Sequence, residues 1–387
     1  MVLYLSVLFI LLFCISLYDI RGQNQYQEFF IRLILLIMIL ISGLSYRLGG
    51  DGIIYVKEYK QYGDITDLNF SYLISFRGRM PGWVFLCTLC KSITISHWLF
   101  KFVHAVILNL AYFSLLKKYT KYVFTGILFY YVLLYFNQNF LYLRESLAVS
   151  FFFFSLPSFL GGKWLKYYLF VLIAFSFHEG AVFLLFLPLM KIIGLNKTSL
   201  FIYLFLGVLF LRYASDVLEL LIGVQVDGEV QAKISHYNSE LDTQYQFTYW
   251  GNSLLNIFFP LFILYYYYRK KIDIPYLYPS VIGIILYIMS LVVPILYRLT
   301  NYCLIFNYIL IADFIISRLQ SMKIDKQLQL ALTYVFLITF LGFKGRMYFL
   351  NSGASNIPAY VQFYPYASVF DKYEDPTRER LYRIRGD

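Results

Sequence analysis

Arg144, Glu145, His178 and Glu179 sit inside the stretch Leu141 to Met190, which is otherwise almost wholly apolar. At membrane depth each such group costs about 3 kcal/mol or more unless it is paired or hydrated, so it marks a functional site by default. The residue types define the chemistry. Arginine is an always-charged donor fork suited to phosphate oxygens. A histidine beside a carboxylate can be tuned for proton transfer. An Arg144 that merely reaches up to the headgroups, and a His178 that is a hydrogen-bonded core residue, are the plain alternatives.

Similar groups recur elsewhere. Arg47 and Asp51 flank Gly49-Gly50, and a glycine turn beside an arginine suits a phosphate oxyanion. An ordinary interfacial turn would read the same way. Arg298 and Asn301 lie in the short connection VPILYRLTNYCL. Arg212 has Asp216 one helical turn on, and an i, i+4 pair is a sufficient structural reason for both. Arg212 therefore ranks below Arg298.

These groups need elements to hold them. The chain has 387 residues, 60% of them hydrophobic and 14% charged, well short of the roughly 25% charge of soluble domains. Apolar runs of spanning length fall at 2–18, 29–46, 82–96, 98–116, 122–136, 146–160, 166–190, 199–222, 253–268, 277–297, 300–317 and 328–346. The expected fold is all-α, one polytopic membrane domain over 1–387 with about 11–13 membrane segments, because backbone in lipid must satisfy itself within helices. Hydrophilic stretches remain at 47–81, 223–252 and 351–387.

The net charge of +11 is spread as short clusters between apolar runs, which fits cytoplasmic loops and anionic lipid headgroups and excludes nucleic-acid binding. The clusters are Lys117/Lys118/Lys121, Lys163/Lys166, Lys191/Lys197, Arg269/Lys270/Lys271 and Arg318/Lys323/Lys326. All can share the cytoplasmic side only if 166–190 enters and returns on one side, with its break at His178-Glu179-Gly180. The number of crossings before Lys117 depends on whether 82–96 is a full span.

Cys87 and Cys90 form a CxxC inside an apolar run with no second pair, and read as packing residues. Met1 to Tyr18 lacks a basic start and a small-residue cleavage site, so it reads as a retained first helix. There is no HExxH, P-loop, GxSxG or dinucleotide fingerprint, which argues against zinc proteolysis, nucleotide hydrolysis and hydride transfer. The four histidines are too dispersed for a metal site, and no cofactor is expected.

The order RLGGDGIIYVKEY, LRESLAVSFFFF, FSFHEG, YRLTNY and FYPY resembles the EpsG-like group of Wzy-type polysaccharide polymerases. The matching positions are Arg47, Gly50-Asp51, Tyr55, Arg144, His178, Arg298, Tyr302 and Pro365-Tyr366. One departure stands out. Where that group commonly has an acidic residue before Pro-Gly, this chain reads Arg79-Met80-Pro81-Gly82.

The resemblance implies a bundle related to the multi-helix, GT-C-like lipid-linked glycosyltransferases, in the bacterial inner membrane. Undecaprenyl-diphosphate-linked oligosaccharide would be both donor and acceptor. Transfer would occur at the outer face, with membrane lipids and a chain-length regulator protein as partners. On this reading Arg47, Arg144 and Arg298 hold diphosphate, His178 is the general base, and Asp51 or Glu145 orients it or binds sugar hydroxyls. Tyr55, Glu179, Arg212 and Tyr302 are secondary candidates. The rival readings are an O-antigen ligase-like transferase, and a flippase or transporter that uses the same charges for passage.

Overall fold

The computed structural model describes residues 2–50, 52–194, 198, 251–291, 296–351 and 356–386. The first helices are α1 (Val2–Ile20), α2 (Gln27–Gly43), α3 (Gly52–Tyr59), α4 (Phe70–Ser75), α5 (Pro81–Ile93) and α6 (Trp98–Tyr119). They are followed by α7 (Val123–Phe129), α8 (Phe136–Phe140), α9 (Leu143–Leu160), α10 (Trp164–Phe177) and α11 (Leu187–Ile193). The remainder are α12 (Phe259–Lys270), α13 (Leu277–Ser290), α14 (Tyr297–Thr300), α15 (Leu304–Ser321), α16 (Lys326–Gly345) and α17 (Pro376–Gly386).

Among the described residues the fold is all-α, with two isolated bridges, Ser45–Ser368 and Asn351–Pro358, and no sheet. Five helices there are long and apolar enough to cross a bilayer: α1, α6, α9, α15 and the stretch Lys326–Phe349. The chain is thus a multi-pass membrane protein. Several expected spans are shorter apolar helices, namely α5, α10 and α13. The expected span 199–222 lies outside the described residues.

Met1–Leu184 and Ile315–Asp387 form one compact unit, and Leu185–Phe314 another. In the first unit, α6 and α9 run parallel. His104 meets Ser146 near their starts, and Tyr112 packs edge-on against Phe153 two turns later. Antiparallel to α6 is α2, with Lys117 pairing Glu28 at 2.8 Å and Gly43 packing on Phe102. Tyr122 donates to Gln320 Oε1 at 2.8 Å. The clusters Lys117/Lys118/Lys121, Lys163/Lys166 and Arg318/Lys323/Lys326 therefore share one end of this unit. At that end buried Asp19 accepts from the Thr125 N–H and hydroxyl at 2.7 and 2.8 Å, capping the first turn of α7. Arg47, Arg144 and His178 belong to the opposite end.

Two local findings decide the topology around the site. First, α5 folds back on the hydrophilic stretch that precedes it. Its start touches Ser176 through Gly82, and its last turn returns to the 59–65 segment, where the Lys91 amine donates to the Tyr62 carbonyl and Ser92 Oγ accepts from Ile65 N–H at 2.7 Å. Its 13 residues make it shorter than the roughly 20 of a full span, which bears on the open question at 82–96. Second, the chain reverses after α10. Tyr167 donates to the Leu184 carbonyl at 2.6 Å. Seventeen residues of uninterrupted helix would part them by about 25 Å, so the segment must double back, and His178 is at the bend. The break expected at His178-Glu179-Gly180 is thus present as a reversal of the chain.

In the second unit, α13 and α15 pack closely. A Cβ on Gly283 would sit 3.0 Å from both Cys303 Cβ and Asn307 Nδ2. Tyr276 donates to Asp313 at 3.1 Å.

Candidate functional site

The hydrophilic stretch after α2 folds into short helices that bring a carboxylate to an arginine. Glu58, on the last turn of α3, is only 4% exposed. Arg79, just ahead of the Pro81 that opens α5, binds it with both arms: Nε to Oε1 at 2.9 Å and Nη2 to Oε2 at 2.6 Å. The Tyr62 hydroxyl adds a bond to Oε1 at 2.6 Å, and the Trp83 indole N–H donates to that hydroxyl at 2.9 Å. Tyr55 packs on Trp83, with ring centroids 5.3 Å apart.

Burial alone would raise the Glu58 pKa. The bonds from Arg79 and Tyr62, together with the Arg79 and Arg144 charges, outweigh it and hold the carboxyl below its ordinary range. Burial likewise opposes the charge on Arg79, and Glu58 holds its pKa above the usual value. Glu58 is therefore an anchor for cations and not a base. Because its pKa is lowered on folding, its stabilisation is complete above the unfolded carboxyl pKa of about 4.3 and fades as pH falls through the lower folded value. Acidification below about pH 4 should thus lower the melting temperature of purified protein more steeply than that of Glu58→Gln. Parallel curves would remove Glu58 from the account.

Arg144, on the first turn of α9, is close enough to stabilise the Glu58 anion. Its Nε is buried and makes no hydrogen bond. Glu58 is thus bonded to Arg79 and within reach of the Arg144 charge. A guanidinium with an unfilled buried N–H can seat an anion.

His178 reaches the same end through backbone packing. A Cβ on Gly82 would stand 2.3 Å from Ser176 Oγ and 2.9 Å from the Ser176 carbonyl. Only glycine lets the start of α5 lie this close to the chain two residues before His178. Gly82→Ala should therefore displace the bend and lower activity while the protein still inserts in the membrane. Full activity in that variant would mean the contact is incidental. His178 is 8% exposed, has extended backbone, and its Nδ1 accepts the Gly180 N–H at 3.1 Å. A neutral ring that accepts there carries its proton on Nε2 and presents a donor. The base role expected from sequence would first require that bond to break.

The structure does not bring Arg47 into this cluster. Arg47 has a left-handed backbone, φ 49, and binds Glu379 through Nε at 3.1 Å and Nη2 at 2.6 Å, with Glu374 at 3.3 Å. Its carbonyl accepts from Tyr382. The C-terminal segment thus holds the guanidinium expected to hold diphosphate. Tyr366 donates to the Ile41 carbonyl at 3.1 Å. Glu145 is 3% exposed on α9, and Glu179 is exposed just past the bend. Arg298, exposed on α14, and Tyr302, fully buried, belong to the second unit. Asp51 and Arg212 lie outside the described residues.

Sequence reasoning missed Glu58, Arg79, Lys101 and His104. Lys101 and His104 interrupt the apolar α6 and are 5% and 0% exposed. The argument that singled out Arg144 applies equally to them. Arg79 was visible as a departure from an expected acid. Its partner was not, since Glu58 lies 21 residues away. Cys87 and Cys90 are buried free thiols, as expected of packing residues. Among the described residues no three metal-ligating side chains come together.

Neither the curated proteins nor the solved structures contain a match to this chain. The EpsG family profile matches residues 28–368, which takes in α2, the Glu58–Arg79 pair, α9, the bend at His178 and the tail as far as Ser368. The match covers most of the sequence and every element of the site just described, so the chain is a member of the EpsG family.

Proposed function

We propose that this protein polymerises lipid-diphosphate-linked oligosaccharide repeats by glycosyl transfer at the outer face of the bacterial inner membrane. Family membership supports polysaccharide synthesis at a membrane. The observation that carries the finer reading is Arg144, a cation within reach of the Glu58–Arg79 pair whose buried Nε is unfilled. Its end of the unit is opposite the basic clusters, which fits an outward-facing site under the positive-inside rule.

In the proposed reaction a hydroxyl of one lipid-linked repeat attacks the anomeric carbon of the other chain. The bond from that carbon to the diphosphate oxygen breaks, and lipid diphosphate leaves. Arg144 holds the departing diphosphate. His178 donates Nε2–H to it. The proton of the attacking hydroxyl passes to a carboxylate, for which Glu145 and Asp51 are the candidates. No metal or cofactor is invoked. Undecaprenyl diphosphate is the carrier expected for this chemistry.

Analysis of lipid-linked sugars in a deletion strain tests the reading. Single repeats on the outer leaflet are the expected result. Finished but unattached polymer would indicate a ligase, and repeats trapped inside would indicate a flippase. The donor role of His178 has its own test. His178→Gln keeps an N–H donor and should retain more polymer than His178→Ala. Equal loss in both variants would return His178 to the role of base.

A further inference from the structure

We infer that Lys101 and His104 are positioning residues that clamp the joint between α8 and α9 and so aim Arg144. The inference rests on the reading of Arg144 given above.

The joint is a break in a nearly continuous helical path. α8 ends at Phe140 and α9 begins at Leu143. The Leu141 and Tyr142 N–H groups both fall back on the Asn137 carbonyl, at 2.9 and 3.0 Å. An uninterrupted helix would satisfy the Asn139 carbonyl with the N–H four residues on, and the break removes that donor. Lys101 supplies the replacement: its amine donates to the Asn139 carbonyl at 2.5 Å and lies 4.9 Å above the Phe140 ring. A cation at the carboxyl end of a helix is also electrostatically favoured.

One turn further along α6, His104 Nε2 reaches the Leu143 carbonyl at 3.2 Å and Ser146 Oγ at 2.8 Å. The two α6 side chains therefore grip the chain on either side of the joint, just before Arg144. A second layer holds α8 from behind. Asn109 donates to Asn139 Oδ1 at 3.1 Å, Tyr130 to Asn109 Oδ1 at 3.0 Å, and Asn139 to the Tyr135 carbonyl at 2.9 Å. All of these groups are buried.

The same joint seats the Arg47 turn. Gly49 has φ +89, and a Cβ there would lie 1.9 Å from the Phe140 carbonyl. A bulk fold would not need a charged amine at this place, because an apolar side chain and an unbroken helix would pack there more cheaply. What the clamp provides is a fixed direction for the first turn of α9.

The test uses the full-length chain in membranes, with Arg144→Cys as a reporter of aim. The native cysteines among the described residues are buried. Lys101→Met keeps the volume and removes the amine. It should change the rate at which a charged thiosulfonate labels the reporter several-fold, and Lys101→Arg should restore the rate. An unchanged rate in inserted protein overturns the clamp. If Lys101→Met fails to insert, His104→Leu compared with His104→Gln gives the same readout.

In the Arg144 background, Lys101→Met should lower kcat for repeat coupling by up to about 10²-fold with KM little changed, as expected of a misplaced catalytic group. A rise in KM alone would overturn the role. If the reporter responds but wild-type protein couples no repeats, the clamp stands and the polymerase reading falls.

Discussion

Arg144→Ala is expected to abolish polymer while leaving the protein at normal level in the membrane. The guanidinium is already charge-compensated in part by Glu58, so removing it strands no carboxylate: Arg79 keeps both bonds to Glu58. The fold should therefore tolerate the change. Chemistry should not. Removing one fixed donor from a developing anion costs about 10²–10³ in rate, and here the donor also brings a full charge. Arg144→Lys should recover little, because an ammonium has a single point of attachment where the fork has several. The measurement is polymer ladder length and amount from strains matched for protein level. A wild-type ladder from Arg144→Ala would sink the assignment.

Glu58→Ala should act by a different route, through stability. It removes the one carboxylate that two arginines share. Arg79 would be left partly buried with neither arm bonded to a carboxylate, and breaking such a pair from one side costs about 3 kcal/mol or more. For a marginally stable fold this is a large fraction of the total. Glu58→Ala should therefore melt well below wild type in detergent and be depleted from membranes. The double variant Glu58→Gln/Arg79→Met removes both charges and should regain most of the stability but not the activity, since Arg144 loses its anchor. If Glu58→Ala melts with wild type, the pair is a surface pairing of little weight. If the double variant is fully active, Glu58 does not organise the site.

These effects trace back to how much of the molecule the chain displays in one dimension. The long spans were legible because about twenty apolar residues have few other uses, and α6, α9 and α16 appear within a few residues of the runs that announced them. The bend at His178 was legible in the polar His178-Glu179-Gly180 break of an apolar run, and the chain does reverse there. Hydropathy left 82–96 open. It measures whether a helix is apolar, not what its ends touch, and α5 is tied to Ser176 through Gly82 at one end and to the 59–65 segment at the other. Glu58 was hidden by location. A carboxylate in a polar stretch is unremarked until a tertiary fold takes it out of water. Arg47 was legible as an anion binder, but its partners Glu374 and Glu379 lie more than 300 residues away. Lys101 and His104 were open to reading and were passed over, because α6 looked complete as a span without them.

The central claim is that the Arg144 end of the first unit is a place where glycosidic bonds are made. Its most direct measurement is product analysis from purified protein in detergent, given a defined diphosphate-linked repeat and no second compartment. The account predicts products lengthened by whole repeats, with lipid diphosphate released in equal number, from wild type and not from Arg144→Ala. A transporter has nothing to do without a membrane to cross. Unchanged substrate after incubation with wild-type protein that binds the lipid-linked repeat would contradict the claim.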